Sequence, residues 1–187
     1  IRAEYGRMIR RAFIPNEGTL FLSGDYSQID LRVLAHLSQD SAMMGAFKSG
    51  EDIHKATAAE IYGIPLQAVT SEQRSRAKAI NFGIIYGQQA FGLAGALKIT
   101  VGEAQKMIDN YFLKYPGVKR WIDNTVEQAK VDGFVKTLLG HARLLPEIRS
   151  KNGALRAFGE RTAMNTPVQG TSAEIIKCAM IKVAVEL

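Results

Sequence analysis

The 187 residues carry 24 Lys and Arg against 18 Asp and Glu, a formal charge of +6, with 47% hydrophobic and 22% charged residues. That is an ordinary globular balance, enough for one large domain or two small ones, and it excludes disordered, collagen-like and disulfide-scaffold chains. The longest uncharged stretch, Ala79 to Leu97, is interrupted by Asn81, Gln88, Gln89 and several glycines, which makes it too polar for a membrane span. No apolar signal core stands in the charged N-terminus, and the single cysteine, Cys178, fits a reducing, cytoplasmic compartment.

Charge is unevenly distributed. Residues 1–15 carry Arg2, Arg7, Arg10 and Arg11 against Glu4, and residues 141–161 carry five cations against Glu147 and Glu160. Residues 16–65 reverse the sign, with seven carboxylates and three cations. An acidic centre between basic flanks suits a polyanion held near divalent cations; the plain alternative is a set of solvated faces.

In chain order, Thr19 to Ser23 (TLFLS) is apolar between Gly18 and Gly24 and reads as a buried strand with Asp25 at its exit. From Ser27 to Leu37 the apolar residues recur at helical spacing. Asp52 to Tyr62 is Ala-rich and helical, stopped by Gly63 and Pro65. Ser71 opens the next helix with a capping box, and that helix runs to about Tyr86 and ends at Gly87. Two helices, Thr100 to Tyr115 and Val118 to Val131, are separated by Pro116-Gly117. Phe134 to Leu145 reads as a hairpin turning near Gly140. A helix after Asn152-Gly153 breaks near Asn165-Thr166-Pro167 and restarts with Ile175, Ile176, Ala179, Met180 and Val183 on one side. The pattern carries no helix-stop signal at Leu187, as expected of a piece of a longer chain.

Two features carry chemistry. Arg74, Lys78 and Phe82 are four residues apart, so they share one stripe of a helix, with Tyr86 and Asn81 near its far end. Cations leading to a ring match a nucleoside triphosphate, although such cations read alone are more often a solvated face. Asp25, at the junction of strand and helix, is placed as a metal ligand or as a helix cap, and the nearest further carboxylate is Asp30. His54 by itself reads as an ordinary histidine of an Ala-rich helix.

Together these segments resemble a known family. DYSQIDLRVLAHLSQD from Asp25 resembles the first catalytic motif of the family A DNA polymerases. RSRAKAINFGIIYG resembles their fingers-helix motif, and RTAMNTPVQGTSAEIIK from Arg161 resembles the stretch along the primer-template minor groove; EDIHKATAAEIYG also matches. The resemblance implies an α+β, predominantly α-helical fold, fingers plus part of the palm with a small antiparallel sheet: palm over 1–35 with strands near Thr19 to Ser23, fingers over 36–152, and palm again over 153–187. It implies a monomer that transfers nucleotides from dNTP to a primer on template DNA, with two Mg²⁺ ions bound by Asp25 and the Tyr26 carbonyl. Arg74 and Lys78 would hold the triphosphate with His54 near its outer phosphates, and Lys78 would act on the reaction itself. Phe82 would pack on the sugar and base, Tyr86 would guard the template-base entry, and Arg161, Asn165 and Gln169 would contact DNA. Asp30 departs from the family's usual Glu, which crowds the sugar 2′ position. The family's His-Asp-Glu motif is expected beyond Leu187 and its thumb before this segment. A non-catalytic, basic helical nucleic-acid-binding module is the competing reading, and a metal-holding Asp25 separates the two.

Overall fold

The computed structural model describes residues 4–186. Its helices are α1 (Glu4–Arg11), α2 (Ile29–Ser38), α3 (Ser41–Lys48), α4 (Ile53–Tyr62), α5 (Ser71–Ile85), α6 (Ala90–Leu97), α7 (Val101–Lys114), α8 (Pro116–Asp132) and α9 (Gly153–Glu186). The strands β1 (Phe134–Lys136) and β2 (Ala142–Leu144) form an antiparallel hairpin with Val135 opposite Arg143, and Gly140 takes φ 93° in its turn. This is the predominantly helical α+β fold expected, with its small antiparallel sheet.

Local chemistry starts and stops the helices. Thr70 accepts from the Gln73 N–H while Gln73 accepts from the Thr70 N–H, a capping box one residue before the expected opening at Ser71. Thr100 and Glu103 repeat the device at α7. Asp52 caps α4 by accepting from the His54 and Lys55 N–H groups, and Gly63 ends it in the left-handed region. Pro116-Gly117 does not separate two helices: Pro116 is the first residue of α8, where its missing N–H leaves no intrahelical bond unmade.

One core joins α2 to α8, including Leu31, Leu34, Met43, Ile53, Ile80, Leu93, Tyr111 and Val118, and takes Val168 from α9. The boundary drawn between residues 35 and 36 falls inside α2. A smaller core holds the hairpin between α8 and α9 through Ala129, Val135, Leu145, Ile148 and Ala163. The hairpin also bonds to α9, whose Thr171 hydroxyl accepts from the Leu138 N–H at 2.9 Å and whose Glu174 accepts from the Thr137 hydroxyl at 2.8 Å.

Several expectations are corrected. Residues 19–23 form no strand, and Leu20, Phe21 and Leu22 are 93%, 63% and 72% exposed. A strand needs a neighbour to take its backbone N–H and C=O groups, and the only sheet among the described residues is the distant hairpin. Asp25 is therefore not at a sheet edge. Nor is it a helix cap, because α2 begins after Gln28. α9 does not break at Pro167 but runs through it, because Ala163, Met164, Pro167, Val168 and Thr171 are buried and their packing offsets the lost backbone bond. The face expected at its end is mostly exposed at Ile176, Met180 and Val183, and Cys178 is exposed beside it. α1, α3 and α6 stand where the sequence reading has no helix.

Candidate nucleotide site

The stripe on α5 forms as its spacing predicts, and α4 and α2 extend it into a continuous face. Arg74 stands at the outer end with its Nε donating to Asp52 Oδ2 at 2.6 Å. Burial raises the Asp52 carboxyl, but the Arg74 bond and the Lys55 and His54 N–H groups outweigh it and hold it below the usual carboxylate value. One turn on, Lys78 Nζ lies 5.8 Å from the centroid of the Phe82 ring. The Phe82 centroid is 5.9 Å from the His54 ring and 6.0 Å from Tyr86. The Tyr86 hydroxyl donates to Asp30 Oδ2 at 3.2 Å, and burial, followed by the Asp30 charge, raises the tyrosine's pKa. Arg74, Lys78, Phe82, Tyr86, His54 and Asp30 thus lie along one chain of contacts.

His54 is 2% exposed. Burial lowers its pKa to about 4; Asp52 pulls the other way, while Arg74 and Lys78 add to the lowering. It is a neutral imidazole at pH 7. Its Nδ1 meets Asn81 Nδ2 at 3.0 Å, and Asn81 in turn reaches Thr57, whose hydroxyl donates to the Ile53 carbonyl at 2.7 Å and lies 3.3 Å from the Tyr115 hydroxyl. Sequence reasoning placed Asn81 near the far end of the stripe without a role, and missed Asp52 and Thr57 as parts of this site. The available signals were an Asp placed to cap α4 and an Asn that follows Ile80 and stands three residues before Ile84.

On α9, Arg161, Asn165 and Gln169 recur every four residues and share a stripe. A Cβ on Gly87 would come within 2.5 Å of the Met164 side chain and 2.8 Å of that of Arg161, so α9 lies directly against the chain leaving α5. Gly87 also has φ 67°, so glycine suits this approach in both space and conformation. Asn165 and Gln169 line a groove of about 270 Å³ with Arg143, Thr162, Thr166 and Gly170. There the buried Asn165 Oδ1 and Thr166 Oγ1 have no hydrogen-bond partner among the described residues.

Asp25 and Tyr26 are exposed in an irregular segment, and the Asp25 carboxylate makes no hydrogen bond or ion pair among the described residues. No three or more His, Cys, Asp or Glu side chains come together as a metal-holding group among the described residues. A clamp on two Mg²⁺ ions takes more oxygen ligands than Asp25 and the Tyr26 carbonyl provide, so these residues do not by themselves fit it. No helix among the described residues is long and apolar enough to cross a membrane.

The chain is 52% identical over 183 residues to DNA polymerase I of Pseudomonas aeruginosa, covering 98% of this chain and 20% of that protein. It is 52% identical over 188 residues to DNA polymerase I of Geobacillus stearothermophilus, covering 100% of this chain and 22% of that one. It thus spans about a fifth of the length of these relatives. A solved structure, the POL domain of Pol1 from M. smegmatis in complex with DNA primer-template and dNTP, superposes with a TM-score of 0.94 at 45% identity, over 100% of this chain and 33% of that one. With the family model for DNA polymerase family A matched over residues 1–187, this chain belongs to that family.

Proposed function

We propose that this chain supplies the nucleotide-binding face of a DNA-directed DNA polymerase, with residues 1–35 and 153–187 as palm and 36–152 as fingers. The supporting observation is the contact chain Arg74, Lys78, His54, Phe82, Tyr86 and Asp30 on α5, α4 and α2. A dNTP laid along it meets two cations and a buried imidazole at its phosphates, an aromatic face at its sugar and base, and the Tyr86–Asp30 pair beneath the sugar. In the reaction the primer 3′-oxygen bonds to the α-phosphorus, the bond to the β-phosphate bridge breaks, and pyrophosphate leaves. Lys78 faces the charge that develops on the leaving group.

Arg161, Asn165 and Gln169 would offer a cation and two amide side chains to the duplex. Asn165 and Gln169 match minor-groove acceptors and donors common to base pairs, so they check shape without reading sequence. The relative solved with primer-template DNA and dNTP supports the same partners here. Together with further carboxylates of the complete polymerase, Asp25 and the Tyr26 carbonyl would help hold Mg²⁺, which would supply charge stabilisation for the reacting oxygens. The polymerase would act as a monomer. Primer extension by the complete polymerase chain tests the reading: Lys78→Ala and Asp25→Ala should each abolish most template-directed incorporation. Incorporation at the wild-type rate in both would overturn it.

A further inference from the structure

The polar cluster beneath the nucleotide face has a proton count that assigns a role to a residue without one. Asn81 is 0% exposed and has two amide protons to place. Its Nδ2 lies 3.0 Å from His54 Nδ1 and 3.2 Å from Thr57 Oγ1. The single proton of the Thr57 hydroxyl is committed to the Ile53 carbonyl at 2.7 Å, so Thr57 can accept from Asn81. Both amide protons then have acceptors. With the amide reversed, its nitrogen would take the place of Oδ1, whose partner is Thr57 alone at 3.3 Å, and one buried N–H would be orphaned. Orphaned buried N–H groups are rarer than under-satisfied carbonyls, which favours the first orientation.

We propose that Asn81 is a positioning residue that fixes His54 as its Nε2–H tautomer, so that an N–H donor rather than a lone pair points away from the core. Asn81 Nδ2 donates to Nδ1, which leaves the ring's one proton on Nε2. The other nitrogen points away from Asn81, on the ring that lies 5.9 Å from Phe82 beside the α5 stripe. A phosphate oxygen only accepts, so the Nε2–H tautomer binds it and the Nδ1–H tautomer repels it. The low pKa of the imidazole agrees, since a neutral ring lacks a second proton and its tautomer decides what it offers. Thr57, itself 3.3 Å from the Tyr115 hydroxyl, fixes Asn81 from behind, tying the choice of tautomer to the core. The consequence for nucleotide binding depends on the site reading given above; the tautomer itself does not.

Two-bond ¹H–¹⁵N spectra of the histidine-labelled complete polymerase, free of nucleotide at pH 7, test the assignment, with His54 identified by its loss in His54→Gln. The expected spectrum shows protonated Nε2 and bare Nδ1. Asn81→Asp is nearly isosteric but only accepts, and should move the proton onto Nδ1. An Nδ1–H tautomer in the wild type, a reading that needs no variant to fold, or an unchanged tautomer in Asn81→Asp, would overturn the proposal. In dNTP binding, His54→Gln and Asn81→Asp should each weaken affinity about tenfold, and the double variant no more than the worse single. Effects that multiply would overturn the positioning role. Unchanged affinity in His54→Gln alongside the expected tautomers would overturn the nucleotide reading and leave the Asn81 assignment supported.

Discussion

The Gly117 N–H donates to Asp40 Oδ2 at 2.8 Å, joining the first turn of α8 to a residue 77 positions earlier. Asp40 also caps α3 by accepting from the Met43 N–H at 3.0 Å, so one buried carboxylate serves two helix N-termini. A Cβ at Gly117 would come within 2.9 Å of the Asp40 backbone. Asp40→Ala should lower unfolding stability by about 2–3 kcal/mol, and Gly117→Ala by about 1–3 kcal/mol through overpacking. Urea unfolding monitored by circular dichroism measures both; a loss within 0.5 kcal/mol for either would show that the junction rearranges freely.

His54 gives the fold an acid sensitivity whose sign is fixed. Its folded pKa of about 4 lies below the ordinary value of 6.5, so the unfolded chain binds the proton more readily. Stability is therefore fully present above about pH 6.5 and falls as pH drops towards 4, by about 3 kcal/mol at most from this group. The Asp52 carboxyl is also depressed but adds its loss only below its ordinary value of 3.8, outside that window. His54→Gln should flatten stability between pH 6.5 and 4. Unfolding midpoints taken across that range decide it, and an equal slope in both proteins would mean that His54 is solvated.

What could be read from the sequence follows the range of the interaction. The α5 stripe, the Gly87 stop and the hairpin are set by contacts within a few residues, and each stands where its spacing places it. The Thr19–Ser23 strand failed because its apolar composition says nothing about a pairing partner. His54–Asn81 and Tyr86–Asp30 join residues 27 and 56 positions apart, beyond any local pattern. α3 and α6, SAMMGAFK and AFGLAGAL, consist largely of small and apolar residues and carry too little polar contrast to show a period.

Arg74 and Lys78 differ in a way that predicts different kinetic defects. Arg74 is already bound to Asp52, whereas Lys78 forms no ion pair among the described residues and sits a turn nearer Phe82. Arg74→Ala should mainly weaken dNTP binding, by about tenfold. If its charge and proton serve the leaving group as proposed, Lys78→Ala should lower the maximal incorporation rate by about 100-fold or more. Pre-steady-state incorporation separates the two. A raised dNTP dissociation constant with an unchanged maximal rate in Lys78→Ala would reduce Lys78 to an anchor.

The Tyr86–Asp30 contact bears on sugar choice. At 3.2 Å it is long for a bond between hydroxyl and carboxylate, as expected where a side chain one methylene shorter than Glu reaches for the same tyrosine. With a dNTP bound as proposed, the shorter carboxylate would draw back from the space beneath the sugar and leave room for a 2′-hydroxyl or a water. Restoring the methylene should reintroduce the clash and shorten the tyrosine contact. A clash or a hydrogen bond of this kind is worth about 1–3 kcal/mol, so Asp30→Glu in the complete polymerase should raise the preference for dNTP over rNTP by roughly one to two orders of magnitude. Tyr86→Phe, which removes the bond but keeps the ring, should lower it in the Glu form more than in the Asp form, because the shorter side chain has less contact to lose. Incorporation efficiencies for matched dNTP and rNTP in the four proteins check both statements. An unchanged ratio in Asp30→Glu would mean that the backbone of α2 already carries the shorter carboxylate to the position the longer one would fill.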